Sequence, residues 1–254
     1  MEYNPTYNPF SLEGKNILIT GASSGIGRAT AIECSKLGAN VIITGRNTER
    51  LQQTFDALVR YGKHLQIKAD LNNAEDIDSL VMQLPILDGI VNNAGIGKTV
   101  PISFIKEEDL RKVFHTNTFA PILLMKSLLK KKRLSKGSSI VFTSSVSAFK
   151  SNLGNSIYGA SKAAIQAYMH YCARELSSKG IRANAVHPGM VKTPLITDGA
   201  ISDEEQKVDM LKYPLGRYGE PEEIAYAIIY LLSDASAWIT GHSLIIDGGI
   251  STLI

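Results

Sequence analysis

The sequence predicts a single α/β domain in which seven parallel strands form a doubly wound sheet covered by helices on both faces. Short runs rich in valine and isoleucine alternate with longer amphipathic segments almost to the end of the chain. The short runs are apolar along most of their length, as is typical of parallel strands buried on both faces. No internal repeat and no linker rich in proline or serine divides residues 1–254. One domain is therefore expected over the whole chain.

The individual elements follow from this alternation. Strands are expected at residues 16–20, 40–44, 65–69, 89–92, 139–143, 182–187 and 243–247, and helices at 25–37, 47–61, 74–83, 107–130, 157–178 and 221–232. Because strand–helix–strand crossovers are right-handed, this order places helices on both faces of the sheet. Residues 190–216 interrupt the alternation, and 194–216 are expected to form a flap over a substrate. The apolar side chains of the flap are Leu195, Ile196, Met210, Leu211, Tyr213 and Leu215.

Composition and charge argue against several classes of protein. With 44% apolar and 20% charged residues, the chain has the composition of an ordinary globular protein. Its formal net charge of +3 is too small to indicate nucleic acid binding. Residues 1–12 lack the pattern of a signal peptide, and no apolar stretch reaches the roughly 18 residues of a membrane span. We expect a cytoplasmic protein without a metal site, in which Cys34 and Cys172 are reduced thiols in or near the core.

A glycine-rich turn follows the first predicted strand and leads into the first predicted helix. Gly21 permits a sharp turn, Gly25 lets the backbone approach a pyrophosphate, and Gly27 lets the helix pack closely on the sheet. Backbone N–H groups at the start of the helix would then face the phosphates of a dinucleotide. The intervening residues of this predicted cofactor site are Ser23, Ser24 and Ile26. The alternative is an ordinary strand-to-helix turn rich in small residues.

Two further residues bear on the choice of cofactor. No carboxylate follows the second strand, and Arg46 offers a planar guanidinium suited to a 2′-phosphate, which favours NADP(H) over NAD(H). Alternatively, Arg46 is a solvated residue at the start of a helix. Asp70, after the third strand, could accept from an adenine amino group, or could cap a helix together with Asn72 and Asn73.

Polar residues also follow the fourth strand. Asn92 and Asn93 are two consecutive amides that can bond the backbone of neighbouring strands. We expect them, with Ala94 and Gly95, to stiffen the edge of the sheet under the cofactor without reacting.

The chemistry is predicted to centre on Tyr158 and Lys162, which lie on one face of a helix because they are four residues apart. Hydride transfer to a ketone builds negative charge on oxygen, so the site needs a proton donor. Lys162 is expected to lower the pKa of the Tyr158 phenol and to hold a ribose hydroxyl, and an oxidised nicotinamide would add positive charge. Ser145, after the fifth strand, could hydrogen-bond the substrate carbonyl. Asn117 either holds a water that links Lys162 to solvent or is a plain polar helix position.

This set of motifs resembles the short-chain dehydrogenase/reductase family over about residues 12–252. The residues that carry the resemblance are Thr20–Gly27 with the spacing Gly-x-x-x-Gly-x-Gly, Asp70, Asn92–Gly95, Asn117, Ser145, Tyr158, Lys162, Asn184–Gly189 and Thr193. The resemblance implies a Rossmann-type fold and a catalytic tetrad of Asn117, Ser145, Tyr158 and Lys162. It also implies that Pro188, Gly189, Val191 and Thr193 line the nicotinamide, with Thr193 near its carboxamide. Thr193 could instead act as a cap before Pro194.

Two positions depart from the family pattern. Ser24 stands where many NADP-using members carry a basic residue, so the cofactor preference depends on Arg46. His187 stands where a smaller residue is usual before Pro-Gly. It is interpreted as a core histidine, with the alternative that it reaches toward the cofactor.

Within the family the chain is similar to 3-oxoacyl-[acyl-carrier-protein] reductases and to sugar-acid dehydrogenases. A mainly apolar carbonyl substrate is expected, with Phe149, Leu153 and Ile157 facing the pocket or a neighbouring subunit. Basic residues that could bind an acyl carrier protein are Lys130, Lys131, Lys132, Arg133, Lys136 and Arg174, which could equally be ordinary surface cations. The resemblance implies a homotetramer, and the apolar 244–246 and 250–254 segments are compatible with a subunit contact. A nucleotide-binding regulator and an isomerase or epimerase remain as alternative functions.

Overall fold

The computed structural model describes residues 7–194 and 203–252, and it confirms the predicted seven-stranded parallel sheet. The strands are β1 (Asn16–Thr20), β2 (Asn40–Gly45), β3 (Leu65–Lys68), β4 (Leu87–Asn92), β5 (Leu134–Thr143), β6 (Arg182–Pro188) and β7 (Ser243–Ile246). Their order across the sheet is β3-β2-β1-β4-β5-β6-β7, and every neighbouring pair is parallel. The order reverses between β1 and β4, which is where doubly wound sheets of this kind open a crevice for a ligand.

The helices also follow the predicted order. They are α1 (Gly25–Lys36), α2 (Thr48–Asp56), α3 (Ala74–Gln83), α4 (Glu107–Phe114), α5 (Ala120–Lys130), α6 (Ser156–Leu176), α7 (Asp203–Met210) and α8 (Pro221–Leu232). Within the described part of the chain, none of the helices is long and apolar enough to cross a bilayer.

The predicted elements differ most from the structure at three places. Helix α2 ends at Asp56 rather than near residue 61, because a loop follows that His64 ties to β2: its Nδ1 accepts from the Val41 N–H at 3.0 Å, and its Nε2 lies 2.8 Å from the Val59 carbonyl oxygen. Strand β5 begins at Leu134, earlier than predicted, because Leu134 pairs with Leu87 ahead of an irregularity in the ladder. The predicted helix 107–130 is interrupted by one turn of π-helix.

The two faces of the sheet carry separate hydrophobic cores. On one face, Leu18, Ile90 and Phe142 pack under α3, α5 and α6. On the other, side chains of β1, β2 and β4 pack under α1, α2 and α8. Cys34 and Cys172 are free and buried, one in each core, as predicted. Because all strands are parallel, their carboxyl ends meet at one edge of the sheet, and the predicted functional residues that follow β1, β4, β5 and β6 are brought together there.

The predicted flap is described only in part. Leu195 and Ile196 lie outside the described residues. Within the described part, Leu211 and Leu215 are exposed, but Tyr213 is buried and packs edge-on against Tyr218, with ring centroids 5.5 Å apart. The Tyr213 hydroxyl accepts a hydrogen bond from the Met190 N–H at 3.2 Å. Tyr213 therefore anchors the segment to the end of β6 and does not contribute apolar surface to a lid.

Candidate active site

The glycine turn between β1 and α1 leaves no room for side chains. Gly21 and Gly25 have φ angles of +64° and +53°, a region that L-residues with a Cβ rarely occupy. A Cβ on Gly27 would overlap the carbonyl oxygen of Gly21. A Cβ on Gly25 would lie 3.0 Å from Cγ2 of Thr193, so the segment after β6 runs directly past this turn. The bare backbone at this edge is what a closely approaching pyrophosphate requires.

The amides after β4 divide their roles. The Asn93 side chain donates to the carbonyl oxygens of Thr20 and Gly21 at 3.2 and 3.4 Å. In return, the Thr20 hydroxyl accepts from the backbone N–H groups of Asn93 and Ala94 at 2.9 and 3.0 Å. The buried Asn92 side chain makes no hydrogen bond to the described residues. The expected stiffening of the sheet edge is therefore confirmed for Asn93 and wrong for Asn92.

The residues predicted to choose the cofactor lie at the ends of β2 and β3. Arg46 is exposed, and the neighbouring Asn47, rather than Arg46, caps α2 by accepting from the Arg50 N–H at 2.9 Å. Ser23 borders the same place, because its Oγ lies 3.5 Å from the position of a Cβ on Gly45. Gly45, the residue before Arg46, therefore lies beside the glycine turn.

Asp70 is part of a local turn. One of its carboxylate oxygens accepts from the Asn72 N–H at 3.0 Å, while Asn73 caps α3. Asp70 therefore closes a turn ahead of α3, and the helix cap is Asn73 rather than Asp70.

Asn117 lies in the π-helical turn His115–Phe119 between α4 and α5. Such a turn widens the helix by one residue and often marks a functional site. Its Oδ1 accepts from the Ile96 N–H at 2.8 Å, and its Nδ2 donates to the Ile96 carbonyl oxygen at 2.9 Å and to the Ser161 hydroxyl at 3.0 Å. The buried amide thereby fixes the chain that leaves β4 against the helix that carries Tyr158. It is not a plain polar helix position.

Ser145 and Tyr158 face each other across the end of β5. Ser145 caps a short 3₁₀ turn, and its Oγ accepts from the Ser147 N–H at 3.1 Å, which leaves the hydroxyl hydrogen available to another acceptor. Burial raises the pKa of the Tyr158 phenol, and an interaction with the Ser145 hydroxyl counteracts part of that rise. Close packing of α6 on the 3₁₀ turn requires Gly159, because a Cβ there would lie 2.6 Å from the Ser147 carbonyl oxygen.

Lys162 lies one turn along α6 from Tyr158 and is almost fully buried. Its ammonium donates to the Thr143 carbonyl oxygen at 2.7 Å and lies 5.7 Å from the centroid of the Tyr158 ring. Burial lowers the pKa of Lys162 to about 8. The net pKa of the phenol is raised, opposite to the lowered value expected from the sequence, because burial is the largest influence on it.

Asn117 and Lys162 border one small space. The Oδ1 of Asn117 and the Nζ of Lys162 each lie 3.3 Å from the position that a Cβ on Gly95 would take. The bare backbone of Gly95 thus leaves an opening beside both polar groups. The structure brings together the four residues of the predicted tetrad, from the end of β5, the π turn and α6, at the same edge of the sheet as the glycine turn.

The segment after β6 closes the site from the other side. Gly189 packs against Asp247, where a Cβ would lie 3.0 Å from the Asp247 Cα, and Val191 is buried and bridges to Gly219. Thr193 lies against Gly25, as described above. Pro188 ends β6, and the residue before it, His187, is buried.

Some important residues were not found from the sequence. Ser144 and Ser161 link neighbouring elements through hydrogen bonds. The Ser144 hydroxyl donates to the Lys162 carbonyl oxygen at 3.0 Å, and the Thr118 hydroxyl donates to the Ser161 carbonyl oxygen at 3.0 Å. The sequence signal for Ser161 was a serine on an otherwise apolar face of a helix, since buried hydroxyl groups need hydrogen-bond partners.

The predicted apolar residues differ in their exposure, and the predicted basic residues lie far from Ser145 and Tyr158. Phe149 and Leu153 are exposed, whereas Ile157 is buried; all three stand between Ser145 and Tyr158 in the sequence, the two residues that mark the catalytic end of the molecule. The basic residues proposed for carrier binding lie at the opposite end of the sheet within this chain. With a rise of about 3.3 Å per residue, β5 places Lys136 on the order of 25–30 Å from Ser145. Similarly, α6 places Arg174 about 24 Å from Tyr158.

Comparison with known proteins agrees with this geometry. Residues 21–251 match the family described as "Enoyl-(Acyl carrier protein) reductase". The 3-oxoacyl-[acyl-carrier-protein] reductase FabG of Rickettsia bellii is 38% identical over 240 residues, which cover 94% of this chain and 98% of that protein. Among solved structures, a short-chain type dehydrogenase/reductase from Mycobacterium marinum has a TM-score of 0.88 at 32% identity and covers 96% of this chain and 98% of its own. Levodione reductase has a TM-score of 0.88 at 29% identity, with coverage of 96% and 100%.

Proposed function

Since the chain belongs to the short-chain dehydrogenase/reductase family, we propose that it interconverts a carbonyl group and a secondary alcohol with NADP(H). The single observation that carries this proposal is the convergence of Ser145, Tyr158 and Lys162 on the edge of the sheet that also holds the glycine turn. A proton donor and a dinucleotide cradle at one edge are the two parts that carbonyl reduction needs.

The residues present fit a nicotinamide dinucleotide. The glycine turn is a cradle that a Cβ at position 27 would fill, and it opens at the start of α1, where free backbone N–H groups favour phosphate. Arg46 would hold the 2′-phosphate, Lys162 a ribose hydroxyl, and Pro188, Gly189, Val191 and Thr193 would lie along the nicotinamide. When bound in its reduced form, the cofactor supplies the hydride for the carbonyl carbon.

Tyr158 is the proton donor in this proposal. Its raised pKa keeps the phenol protonated at neutral pH, so the proton is available when negative charge develops on the substrate oxygen. The Ser145 hydroxyl donates to the same oxygen and orients it. The phenolate left behind recovers a proton from solvent through the opening beside Lys162 and Asn117, where a water would bridge the two side chains. Lys162, as an ammonium, stabilises the phenolate while it lasts.

The proposed substrate is a mainly apolar carbonyl compound, with a 3-oxoacyl thioester as the first candidate. The similarity to FabG supports the thioester, and Phe149 and Leu153, which stand between Ser145 and Tyr158 in the sequence, provide exposed apolar surface for an acyl chain. A second candidate is a small ketone or a keto-sugar acid. The similarity to levodione reductase supports the small ketone.

A panel of carbonyl compounds monitored by NADPH absorbance tests the proposal, with acetoacetyl thioesters, keto-sugar acids and diketones as substrates. Tyr158→Phe provides the blank. Net NADPH consumption with a carbonyl compound distinguishes a reductase from an isomerase or epimerase, which would regenerate its cofactor. NADPH binding without turnover of any compound would instead favour the alternative of a nucleotide-binding regulator.

Docking of an acyl carrier protein is a separate question, because Lys136 and Arg174 lie far from the catalytic end of their own chain. The test compares turnover of an acyl-carrier substrate with that of a small ketone in Lys136→Glu and Arg174→Glu. A loss limited to the carrier substrate would support docking at these cations. Equal effects on both substrates would remove this part of the proposal.

We further propose that the protein forms a homotetramer in the cytoplasm. Apolar side chains are exposed on α4, the π-helical turn, α5 and α6 and after α8; they are Leu110, Phe119, Leu123, Tyr171 and Trp238. A contact with another subunit would bury these exposed apolar side chains. Sedimentation at micromolar concentration measures the assembly, and a monomer as the sole species would refute it.

A further inference from the structure

His187 is a buried histidine of β6 that lies immediately behind the catalytic serine. Its side chain has no exposed surface. Nδ1 lies 3.0 Å from the backbone carbonyl oxygen of Ser145. A carbonyl oxygen can only accept, so Nδ1 must carry the hydrogen of this bond. The ring nitrogen Nε2 is buried and has no partner among the described residues.

The charge state of the ring follows from its surroundings. Burial lowers the pKa of His187, and the positive charges of Lys162 and His242 act in the same direction, while the bond to Ser145 opposes them. A neutral ring that carries its hydrogen on Nδ1 leaves Nε2 as a bare acceptor. A buried acceptor without a partner destabilises the folded chain, so the ring is a costly way to fill this space unless the Nδ1 bond has a function.

Ser145 needs support at this position because it lies beyond the sheet. The ladder between β5 and β6 ends at Thr143 and Val186, and one more backbone bond, from the Ser144 N–H to the Val186 carbonyl oxygen, follows at 2.9 Å. From Ser145 onward the chain turns into the 3₁₀ turn, and the Nδ1 bond of His187 is a side-chain tie between this residue and β6.

Phe149 holds the imidazole in place from the other side. Its ring packs on that of His187 with centroids 5.6 Å apart and an interplanar angle of 41°. The His187 ring is thus held between β6 and the residues that follow Ser145, in an orientation that aims Nδ1 at the Ser145 carbonyl.

We propose that His187 is a positioning residue whose Nδ1–H bond fixes the backbone of Ser145, and with it the direction of the catalytic hydroxyl. The inference rests on the proposed carbonyl reduction, in which Ser145 orients the substrate oxygen. It differs from both sequence interpretations: His187 is neither a fully satisfied core histidine nor a group that reaches the cofactor.

Two matched variants separate the Nδ1 bond from mere packing. In His187→Asn the side-chain amide can place its N–H near the position of Nδ1, whereas His187→Gln moves it one carbon further, toward Nε2. We expect His187→Gln and His187→Ala to lower kcat by roughly 10- to 100-fold, the effect of a small misplacement of a reacting group, with KM for NADPH within about twofold of wild type. His187→Asn should recover most of kcat. His170→Ala, at an exposed histidine of α6, is the control.

The decisive kinetic experiment combines His187→Ala with Ser145→Ala. If His187 acts through Ser145, its replacement costs little in a chain that already lacks the hydroxyl, because coupled residues are not additive. An equal loss from His187→Ala in both backgrounds would show a general structural role and overturn the proposal, as would an unchanged kcat in the wild-type background.

A readout that does not depend on turnover keeps the inference separate from the proposed function. Nitrogen-15 NMR of labelled histidine in the wild-type protein should show His187 neutral with the hydrogen on Nδ1 at pH 7, and a crystal structure of His187→Ala should show Ser145 displaced. An Nε2–H tautomer, or a Ser145 that does not move, would refute the positioning role even if the enzyme reduces carbonyl compounds. If the tautomer and the displacement are found but no carbonyl compound is reduced, only the proposed function fails.

Discussion

The glycine turn and the catalytic end lie at the same edge of the sheet but are built in opposite ways. At the glycine turn, the fold makes room by omitting side chains: Gly21 and Gly25 adopt positive φ, and Gly27 has no space for a Cβ. At the catalytic end, buried polar side chains fill the interior and bind backbone groups, as Asn117 does at Ile96 and Lys162 at Thr143. One region is shaped by backbone, and the other by side-chain hydrogen bonds.

This difference determines how each region should respond to substitution. Adding a single methyl group should damage the glycine turn, since close packing cannot absorb it. At the catalytic end, volume matters less than the loss of a specific donor or acceptor, because a buried polar group without its partner is costly. Substitutions in the two regions test this difference.

The largest effect is expected from removing the proposed proton donor. Tyr158→Phe keeps the ring but deletes the hydroxyl, so kcat for carbonyl reduction should fall by roughly 10²- to 10⁴-fold, the usual contribution of a positioned general acid. NADPH binding, measured by fluorescence titration, should change little. Activity that survived in Tyr158→Phe would mean that another group delivers the proton.

The next effect concerns the glycine turn. In Gly27→Ala the new methyl group would meet the carbonyl oxygen of Gly21, and we expect a loss of about 1–3 kcal/mol in the free energy of unfolding together with weaker NADPH binding. Gly219→Ala is the matched control, because the nearest atoms to a Cβ there are 3.7 Å away. Urea denaturation measures the free energy of unfolding of both variants, and fluorescence titration measures their NADPH binding. Equal stability of the two variants would contradict the account of a closely packed turn.

The comparison also explains what the sequence could predict. The glycine spacing reports a backbone requirement directly, and the limits of β1, α3 and α8 coincide with the predicted ones because periodicity is a local property. The π turn around Asn117 could not be predicted, since Asn117 bonds there to Ile96 and Ser161, which are distant in the sequence and brought close only by the fold. The spacing of Tyr158 and Lys162 predicts that both lie on one helix, which α6 confirms, but it does not predict the direction of the phenol pKa, which depends on burial.

The cofactor preference comes third. Arg46→Asp removes a guanidinium and adds a charge that repels a 2′-phosphate, while its carboxylate can accept from a 2′-hydroxyl. The ratio of kcat/KM for NADPH over NADH should therefore fall by roughly 10- to 100-fold, in line with the strength of one charge-assisted hydrogen bond. Arg60→Asp, at an exposed arginine in the loop after α2, is the control. An unchanged ratio would return Arg46 to the role of a solvated residue.

The smallest effect is a dependence of stability on pH that only the catalytic end should show. Burial lowers the pKa of Lys162 from 10.5 to about 8, so between these values the unfolded chain binds more protons than the native one. Stability that comes from this group must then rise as the pH increases from 8 to 10.5. The free energy of unfolding of the wild type, minus that of Lys162→Met, should increase across this range in urea titrations, with Lys126→Met at an exposed position of α5 as the control for the loss of a lysine. A difference that stays level or falls with pH would mean that the Lys162 ammonium is better solvated than its burial indicates. Water would then reach the buried polar groups of the catalytic end, whereas the glycine turn would still exclude added side chains.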